Sequence, residues 1–294
     1  MKVIRAKVLG FCMGVRRAVE MAWRESSLRE GHVYTLGPLI HNPVVLERLA
    51  ERGIKILQEG ELPPDPENST VIIRAHGVSR KLETELRRQG VRILDATCPN
   101  VKLSQMKARS FAEKGFRIFL AGEENHGEIS GIRGYIEQQC YVVGNPEDAE
   151  KAAAGLLRSE PDAIAALIAQ TTISAGEYRA IGERLQRFFP ELEILDTICG
   201  ATAERQEALR ELCGQVDVVF VAGGRESANT RRLLSLAVEL GKPAWLIQSP
   251  REIPAEIPAE ISAEMGPCKT AGLSAGASTP DSLIAEIEEV LKKF

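Results

Sequence analysis

The sequence lacks several features that would assign it to a common functional class. No apolar run approaches the ~18 residues needed to cross a bilayer, and the first residues, MKVIRAKVLGF, lack the long apolar segment and cleavage site of a signal peptide. The 37 Lys and Arg are balanced by 41 Asp and Glu, which leaves no basic surplus for nucleic acid. We therefore expect a cytoplasmic protein that binds neither membranes nor nucleic acid.

Close cysteine pairs and nucleotide motifs are also missing. The six cysteines show neither the dense spacing of a disulfide framework nor the CxxC pairs of structural zinc sites. There is no GxxxxGK[ST] phosphate loop and no GxGxxG at the first βα turn, so nucleotide binding is disfavoured. Thiols in a reducing compartment are more often catalytic or metal-binding than disulfide-bonded.

Three of the cysteines share one context. Strand-like runs end at Cys12, Cys98 and Cys199, each before a helix-like run, and the last two follow the same Ile-Leu-Asp phrase. Their comparable intervals indicate a threefold repeat. Strand-like and amphipathic stretches alternate throughout, which predicts βαβ units and parallel sheets. Because open α/β sheets carry their chemistry at the carboxyl ends of strands, the three thiols are expected to converge on one cofactor.

The repeat predicts three α/β domains, which cover residues 14–96, 97–195 and 196–294, the third completed by an N-terminal strand within 1–13. The tetrapeptide Ile-x-Ala-Glu recurs at 253–256, 257–260 and 261–264. Pro254 and Pro258 discourage regular structure there, so a surface connector is expected.

Soft thiolate ligands select zinc or an iron-sulfur cluster. A structural zinc site needs four ligands, whereas three cysteines on a 4Fe-4S cluster leave one iron open to substrate. Electron carriers usually use four cysteines, so three indicate catalysis. We expect Cys140, Cys213 and Cys268 to be packing residues.

Polar residues follow other strand-like runs in each repeat. The first block has His41 and His76, the second His126, Glu128 and residues 170–172, and the third Ser227, Asn229, Ser274 and Ser278. The turn GGRESANTRRLL is of the kind that binds a phosphate or diphosphate at a helix start. Glu128 is a candidate general acid if burial raises its pKa, and otherwise an exposed loop residue.

Taken in order, the motifs GFCMGVRRA, GPLIHN, RAHGVS, DATCPNV, HGE, QTT, ESAN and AGAS resemble those of the 4-hydroxy-3-methylbut-2-enyl diphosphate (HMBPP) reductases, the IspH/LytB family. The resemblance extends from Cys12 to Pro280. It implies a trefoil of three similar α/β domains, with mainly parallel sheets, around a central 4Fe-4S cluster. It also implies reductive dehydroxylation of HMBPP to isopentenyl and dimethylallyl diphosphates, the last step of the non-mevalonate (MEP/DOXP) isoprenoid pathway.

The resemblance also assigns roles to residues. It makes Cys12, Cys98 and Cys199 the ligands of one 4Fe-4S cluster. The catalytic residues are Glu128, Thr171 and His126, with Glu128 delivering protons and Thr171 acting as a relay or orienting hydroxyl. It assigns the substrate to His41, His76, His126, Thr171, Ser227, Ala228, Asn229 and Ser278, with protonated imidazoles orienting the diphosphate. Ferredoxin or flavodoxin is the electron donor that the family suggests, and a monomer is expected.

Two motif positions and the Ile-x-Ala-Glu connector, which touches no motif, depart from the family pattern. Gly127 replaces the proline of His-Pro-Glu, which loosens the loop that aims the acid. Ala228 replaces the second of two serines, so only its backbone N–H can serve the diphosphate. The alternatives are an iron-sulfur electron carrier or sensor, which needs no acid, and an iron-sulfur hydro-lyase, which needs no external electrons.

Overall fold

A computed structural model describes residues 1–28, 31–58, 60–136, 139–253 and 270–294. Most of the Ile-x-Ala-Glu connector, from residue 254 onward, and Cys268 lie outside these described residues. Over the ranges described, none of the helices is both long enough and apolar enough to cross a bilayer.

Strands and helices alternate along the chain, as the sequence predicts. The described strands are β1 Lys2–Arg5, β2 His32–Leu36, β3 Lys55–Leu57, β4 Ser69–Ile73, β5 Arg92–Asp95, β6 Arg117–Ala121, β7 Cys140–Val143, β8 Ala165–Ala169, β9 Glu193–Leu195, β10 Val218–Ala222, β11 Ala244–Ile247 and β12 Thr270–Ala275. The described α-helices are α1 Met13–Leu28, α2 Pro43–Ala50, α3 Arg80–Arg88, α4 Pro99–Glu113, α5 Gly127–Arg133, α6 Pro146–Ser159, α7 Ala175–Gln186, α8 Gly200–Cys213, α9 Ala228–Glu239 and α10 Asp281–Leu291. A short 3₁₀ helix spans Pro250–Glu252.

The strands form three four-stranded sheets, ordered β3-β2-β4-β5, β7-β6-β8-β9 and β11-β10-β12-β1. Every described pairing is parallel. The first two sheets have the same strand order, and the third repeats it with the N-terminal strand β1 in the place of β5 and β9. This confirms the α/β class with three similar parallel sheets. The domain ranges 14–96, 97–195 and 196–294 stay a prediction.

The chain divides into two compact units. Unit 1 contains Met1–Arg16, Ile40–Arg52 and Gly200–Phe294, and unit 2 contains Arg17–Leu39 and Gly53–Cys199. The third sheet therefore belongs to unit 1, and the other two belong to unit 2. Helix α2 belongs to unit 1, where Val44 packs against the core.

The central strands are buried on both faces, which explains their nearly continuous apolar sequences. In β10, Val218, Phe220 and Ala222 face one hydrophobic cluster while Val219 and Val221 face another. In β8, alternate residues likewise enter two clusters. Side chains of a strand alternate between faces, so each central strand supplies both layers of its core.

Helix starts follow the strands at the carboxyl edge, where several have a polar N-cap. Ser174 caps α7 in a capping box with Glu177, and Pro99 occupies the first position of α4. The sequence predicts a loop at residues 126–128. In the structure His126 is instead the N-cap of α5, and Glu128 lies in the first turn of this helix. The predicted loop is thus a helix start, which fixes the direction of Glu128.

Candidate functional site

Each of the three sheets holds its cysteine in the same way. The cysteine follows the strand at one edge, and its backbone N–H donates to a carbonyl two residues beyond the neighbouring strand. The acceptors are Ala75 for Cys98 at 2.9 Å, Thr171 for Cys199 at 2.9 Å and Ala277 for Cys12 at 3.1 Å. In every repeat this hydrogen bond joins the cysteine to a loop that carries a predicted substrate residue: His76, Thr171 or Ser278.

The predicted site residues are distributed over both units. Unit 1 contains Cys12, His41, Ser227, Ala228, Asn229 and Ser278. Unit 2 contains His76, Cys98, His126, Glu128, Thr171 and Cys199.

Glu128 and Thr171 meet in unit 2. The Thr171 backbone N–H donates to Glu128 Oε1 at 2.7 Å, and the Thr171 hydroxyl donates to Oε2 at 2.8 Å. Glu128 is 1% exposed, which excludes the exposed-loop alternative. Its carboxyl group is therefore held at both oxygens in a buried position.

Burial sets the proton affinity of this carboxyl. Removal from water raises the pKa of Glu128 to about 7, and the two Thr171 hydrogen bonds oppose the shift only in part. A carboxyl with a pKa near neutrality both holds and releases a proton under physiological conditions. This satisfies the condition under which the sequence makes Glu128 a general acid.

His126 adjoins this pair. Its Nδ1 accepts the backbone N–H of Glu128 at 3.2 Å, and its ring meets that of His76 edge to face, with centroids 5.3 Å apart. Nδ1 is used in this helix cap, so Nε2 is the ring nitrogen left to contact a ligand. The protonated imidazole expected at His126 stays a prediction, with Nε2 as the nitrogen that would face the diphosphate.

Helix α9 supplies polar groups in unit 1. Ser227 is its N-cap and accepts the Thr230 backbone N–H at 3.3 Å, which leaves the hydroxyl hydrogen out of that bond. Ala228 and Asn229 follow in the first turn, and the buried amide nitrogen of Asn229 has no hydrogen-bond partner among the described residues. A helix start with an unsatisfied buried donor suits an anionic group.

His41 and Ser278 are linked within unit 1. The Ser278 hydroxyl donates to the His41 carbonyl at 3.2 Å. Gly224 lies against the same carbonyl so closely that a Cβ there would come within 2.3 Å of its oxygen. Glycine at 224 therefore allows the backbone around His41 to take its position.

The three cysteines suit a thiolate-bound cluster. Each is a half-buried reduced thiol. The Val15 backbone N–H donates to Cys12 Sγ at 3.5 Å, and the Asn100 side-chain amide donates to Cys199 Sγ at 3.2 Å. Iron-sulfur clusters are bound by cysteine thiolates, and N–H donors to the sulfurs tune them, so these residues fit such a group.

The loop before Cys98 is braced by two cations. Arg17 donates to the carbonyls of Thr97 and Asp95, both at 3.1 Å. Lys102 contacts the Asp95 carboxylate at 3.2 Å and the Tyr135 hydroxyl at 3.1 Å. Burial acts to raise the pKa of Asp95, but hydrogen bonds from Thr97 and the charge of Lys102 outweigh it, so this pKa lies below its usual value.

The sequence motifs alone assign no role to Arg17, Arg74 or Asn100. Arg17 braces the Cys98 loop, the Arg74 guanidinium lies beside Gly127, and Asn100 binds the sulfur of Cys199. All three lie inside the motifs GVRRA, RAHGVS and DATCPN, which is the one sequence signal that points to them.

Comparison with known proteins assigns the chain to a family. The family model described as LytB protein matches residues 3–292. The chain belongs to the LytB family. Its LytB relatives include the 4-hydroxy-3-methylbut-2-enyl diphosphate reductase of Treponema denticola, which is 43% identical over 301 residues and covers 99% of each chain. The Aquifex aeolicus protein of the same name is 36% identical over 297 residues, or 99% of this chain and 96% of the relative.

Two solved LytB structures share the fold. The E-1-hydroxy-2-methyl-but-2-enyl-4-diphosphate reductase of Plasmodium falciparum matches with a TM-score of 0.89 at 26% identity, covering 99% of this chain and 88% of that one. A second, described as the terminal enzyme of the non-mevalonate pathway, matches with a TM-score of 0.70 at 34% identity over the whole of both chains.

Proposed function

We propose that the chain is a 4-hydroxy-3-methylbut-2-enyl diphosphate reductase. The reaction replaces the allylic hydroxyl of the substrate by hydrogen, consumes two electrons and two protons, and releases water with isopentenyl or dimethylallyl diphosphate. The observation that carries this proposal is the buried Glu128 carboxyl, held by Thr171 and with a pKa near neutrality. A reaction that expels hydroxide as water needs such a proton donor.

Cys12, Cys98 and Cys199 are the proposed ligands of one 4Fe-4S cluster. Support comes from their equivalent positions in the three sheets and from the N–H donors that reach two of the sulfurs. Such a cluster supplies electrons and a Lewis-acidic iron without a protein thiolate. Cys140 begins β7 and Cys213 ends α8 in the core, so they are assigned to packing.

The proton path uses three residues of unit 2. Glu128 holds the proton, the Thr171 hydroxyl lies 2.8 Å from its Oε2 and acts as a relay, and His126 contributes its Nε2, since its Nδ1 caps α5. His76, edge to face with His126, is assigned to the substrate with it. Burial of this group excludes water that would otherwise compete for the proton.

The diphosphate is assigned to His41, Ser227, Ala228, Asn229 and Ser278. Ser227 offers a hydroxyl hydrogen, Ala228 a backbone N–H in the first turn of α9, and Asn229 its unsatisfied amide. Ser278 has to turn its hydroxyl away from the His41 carbonyl to donate to the ligand. Ferredoxin or flavodoxin is the proposed electron donor to a cytoplasmic, monomeric enzyme.

Anaerobic reconstitution tests the proposal. Wild type should show a 4Fe-4S Mössbauer spectrum with one distinct iron and should convert HMBPP to both products only when a reductant is supplied. Cys12→Ser, Cys98→Ser and Cys199→Ser should each lose the cluster, whereas the controls Cys140→Ser and Cys213→Ala should keep it. An intact cluster without turnover would refute the reductase assignment. Consumption of HMBPP without a reductant, with gain or loss of water and neither isoprenoid diphosphate formed, would favour the hydro-lyase.

A further inference from the structure

One side chain of helix α4 contacts the sulfur of a cysteine at the start of another helix. Asn100 is the second residue of α4, and its amide nitrogen lies 3.2 Å from Cys199 Sγ. Both residues belong to unit 2. The contact is a side-chain N–H···S hydrogen bond to a proposed cluster ligand, so this inference depends on the proposed function.

The surrounding contacts hold both partners of this bond. Pro99 starts the helix one residue before Asn100, and the Ser104 hydroxyl donates to the Asn100 carbonyl at 3.1 Å. Cys199 is held by its backbone N–H on the Thr171 carbonyl at 2.9 Å. The Asn100 amide is therefore directed at the sulfur by a fixed backbone.

The threefold repeat shows that this donor is specific to one position. Two residues after Cys98 stands Asn100, whereas two residues after Cys12 stands Gly14 and two residues after Cys199 stands Ala201. Cys12 Sγ accepts a backbone N–H from Val15, a donor that most residues at that position would supply. The bond to Cys199 instead depends on the identity of one side chain.

A hydrogen bond to a ligating sulfur draws charge from the sulfur and favours the reduced, more negative state of an iron-sulfur cluster. We propose that Asn100 is a positioning residue that orients Cys199 and raises the reduction potential of the cluster through this N–H···S bond. The enzyme accepts electrons from a donor before it reduces its substrate, so the potential governs how readily the cluster is loaded.

Two Asn100 variants and one control test this inference. Asn100→Leu removes the donor at similar volume, and Asn100→Asp replaces the N–H donor by a negative oxygen. Ser104→Ala removes the bond to the Asn100 carbonyl without touching the sulfur. The reduction potential is measured by anaerobic redox titration followed by EPR, and the iron–thiolate stretching band by resonance Raman.

Asn100→Leu should lower the potential, and Asn100→Asp should lower it further. Ser104→Ala should leave it unchanged, because the start of α4 at Pro99 still holds the Asn100 backbone. The iron–thiolate band of Asn100→Leu should move to higher frequency because the sulfur donates more strongly to iron. If both Asn100 variants lose the cluster while Ser104→Ala keeps it, the positioning role is supported. An unchanged potential and band in a loaded Asn100 variant would overturn the inference, whereas a wild type that binds no cluster would overturn the proposed function instead.

Discussion

Thr171 donates to both oxygens of Glu128, from its backbone N–H at 2.7 Å and from its hydroxyl at 2.8 Å. The two residues follow neighbouring parallel strands, β8 and β6, so their loops leave the same edge of one sheet. The backbone bond is available to any residue at position 171, but the hydroxyl bond requires Ser or Thr. Thr171 therefore combines a fixed anchor for the carboxyl with an exchangeable proton next to it.

Thr171→Val should separate these two contributions. The substitution keeps the shape and the backbone bond but removes the hydroxyl, so the pKa of Glu128 should rise further, because a bond that favours its charged form is lost. Turnover should fall by about 10²-fold or more if the hydroxyl relays the proton. The descending alkaline limb of the pH–rate profile should move to higher pH.

Thr171→Ser is the matched control, since it retains the hydroxyl, and it should keep both the alkaline limb and most of the turnover. If Thr171→Val has the same alkaline limb as wild type, Glu128 does not set the pH dependence.

Glu128→Gln should change how stability depends on pH. The pKa of Glu128 is raised from 4.5 to about 7 by folding, so its contribution to stability is fully present below pH 4.5 and is lost as the pH rises through 7. Gln mimics the protonated carboxyl and is neutral throughout. The variant should therefore be more stable than wild type at pH 8, by on the order of 3 kcal/mol, and equal to it near pH 4.5.

Anaerobic urea unfolding of substrate-free protein between pH 5 and pH 8 measures this difference. Glu191→Gln, at an exposed position, controls for loss of a carboxylate on the surface. A difference between Glu128→Gln and wild type that does not grow with pH would show that the Glu128 carboxyl does not titrate in this range. Turnover of Glu128→Gln should be lost at every pH, because the amide is no acid.

How far the site can be predicted differs between its parts. The threefold repeat predicts that Cys98 and Cys199 follow strands, and in the structure they follow the edge strands β5 and β9. Periodic apolar patterns determine where strands of a parallel sheet end. Helix α5 escapes prediction because it is short and contains two glycines. Packing, rather than propensity, forms this helix: a Cβ on Gly131 would lie 3.1 Å from the His76 carbonyl oxygen.

The hydrogen-bond partners of individual side-chain atoms also cannot be predicted from the sequence. His126 caps α5 through Nδ1, which leaves only its Nε2 for a ligand, and no sequence pattern indicates which of the two nitrogens the helix uses. Likewise, the pairing of Glu128 with Thr171 joins residues 43 positions apart. Sequence periodicity predicts a common sheet edge for two such residues, but only the packed structure defines the contact between individual oxygens.

Gly224→Ala should disturb the proposed diphosphate residues of unit 1. A Cβ at 224 would meet the His41 carbonyl oxygen at 2.3 Å, so the backbone that Ser278 holds has to move. We expect a loss of about 1–3 kcal/mol of stability together with a raised KM for HMBPP. Thermal unfolding and steady-state kinetics measure the two effects.

Gly176→Ala is the control, because nothing lies within 4 Å of the added Cβ in α7. That variant should be neutral or slightly stabilised, with an unchanged KM. An unaltered KM in Gly224→Ala would mean that the His41 backbone does not help to hold the substrate.

Gly127→Pro should restore the residue that the family pattern has at this position. Position 127 is the first residue of α5, where proline is favoured because its fixed φ suits the helix start. The added ring faces the end of the Arg74 side chain, at 3.2 Å from a Cβ at 127, and this flexible group can shift by the few tenths of an ångström required. The unfolding free energy should rise by about 0.4–1 kcal/mol, because the unfolded chain loses conformational freedom.

Gly127→Ala is the control, because it adds the Cβ but leaves φ less restrained. The same unfolding measurement then separates the effect of the Cβ from the effect of the fixed φ. Stabilisation by Pro beyond that of Ala would show that the backbone aiming Glu128 is already in the proline conformation. Destabilisation by Pro alone would show that this chain aims its acid with a backbone that proline cannot adopt.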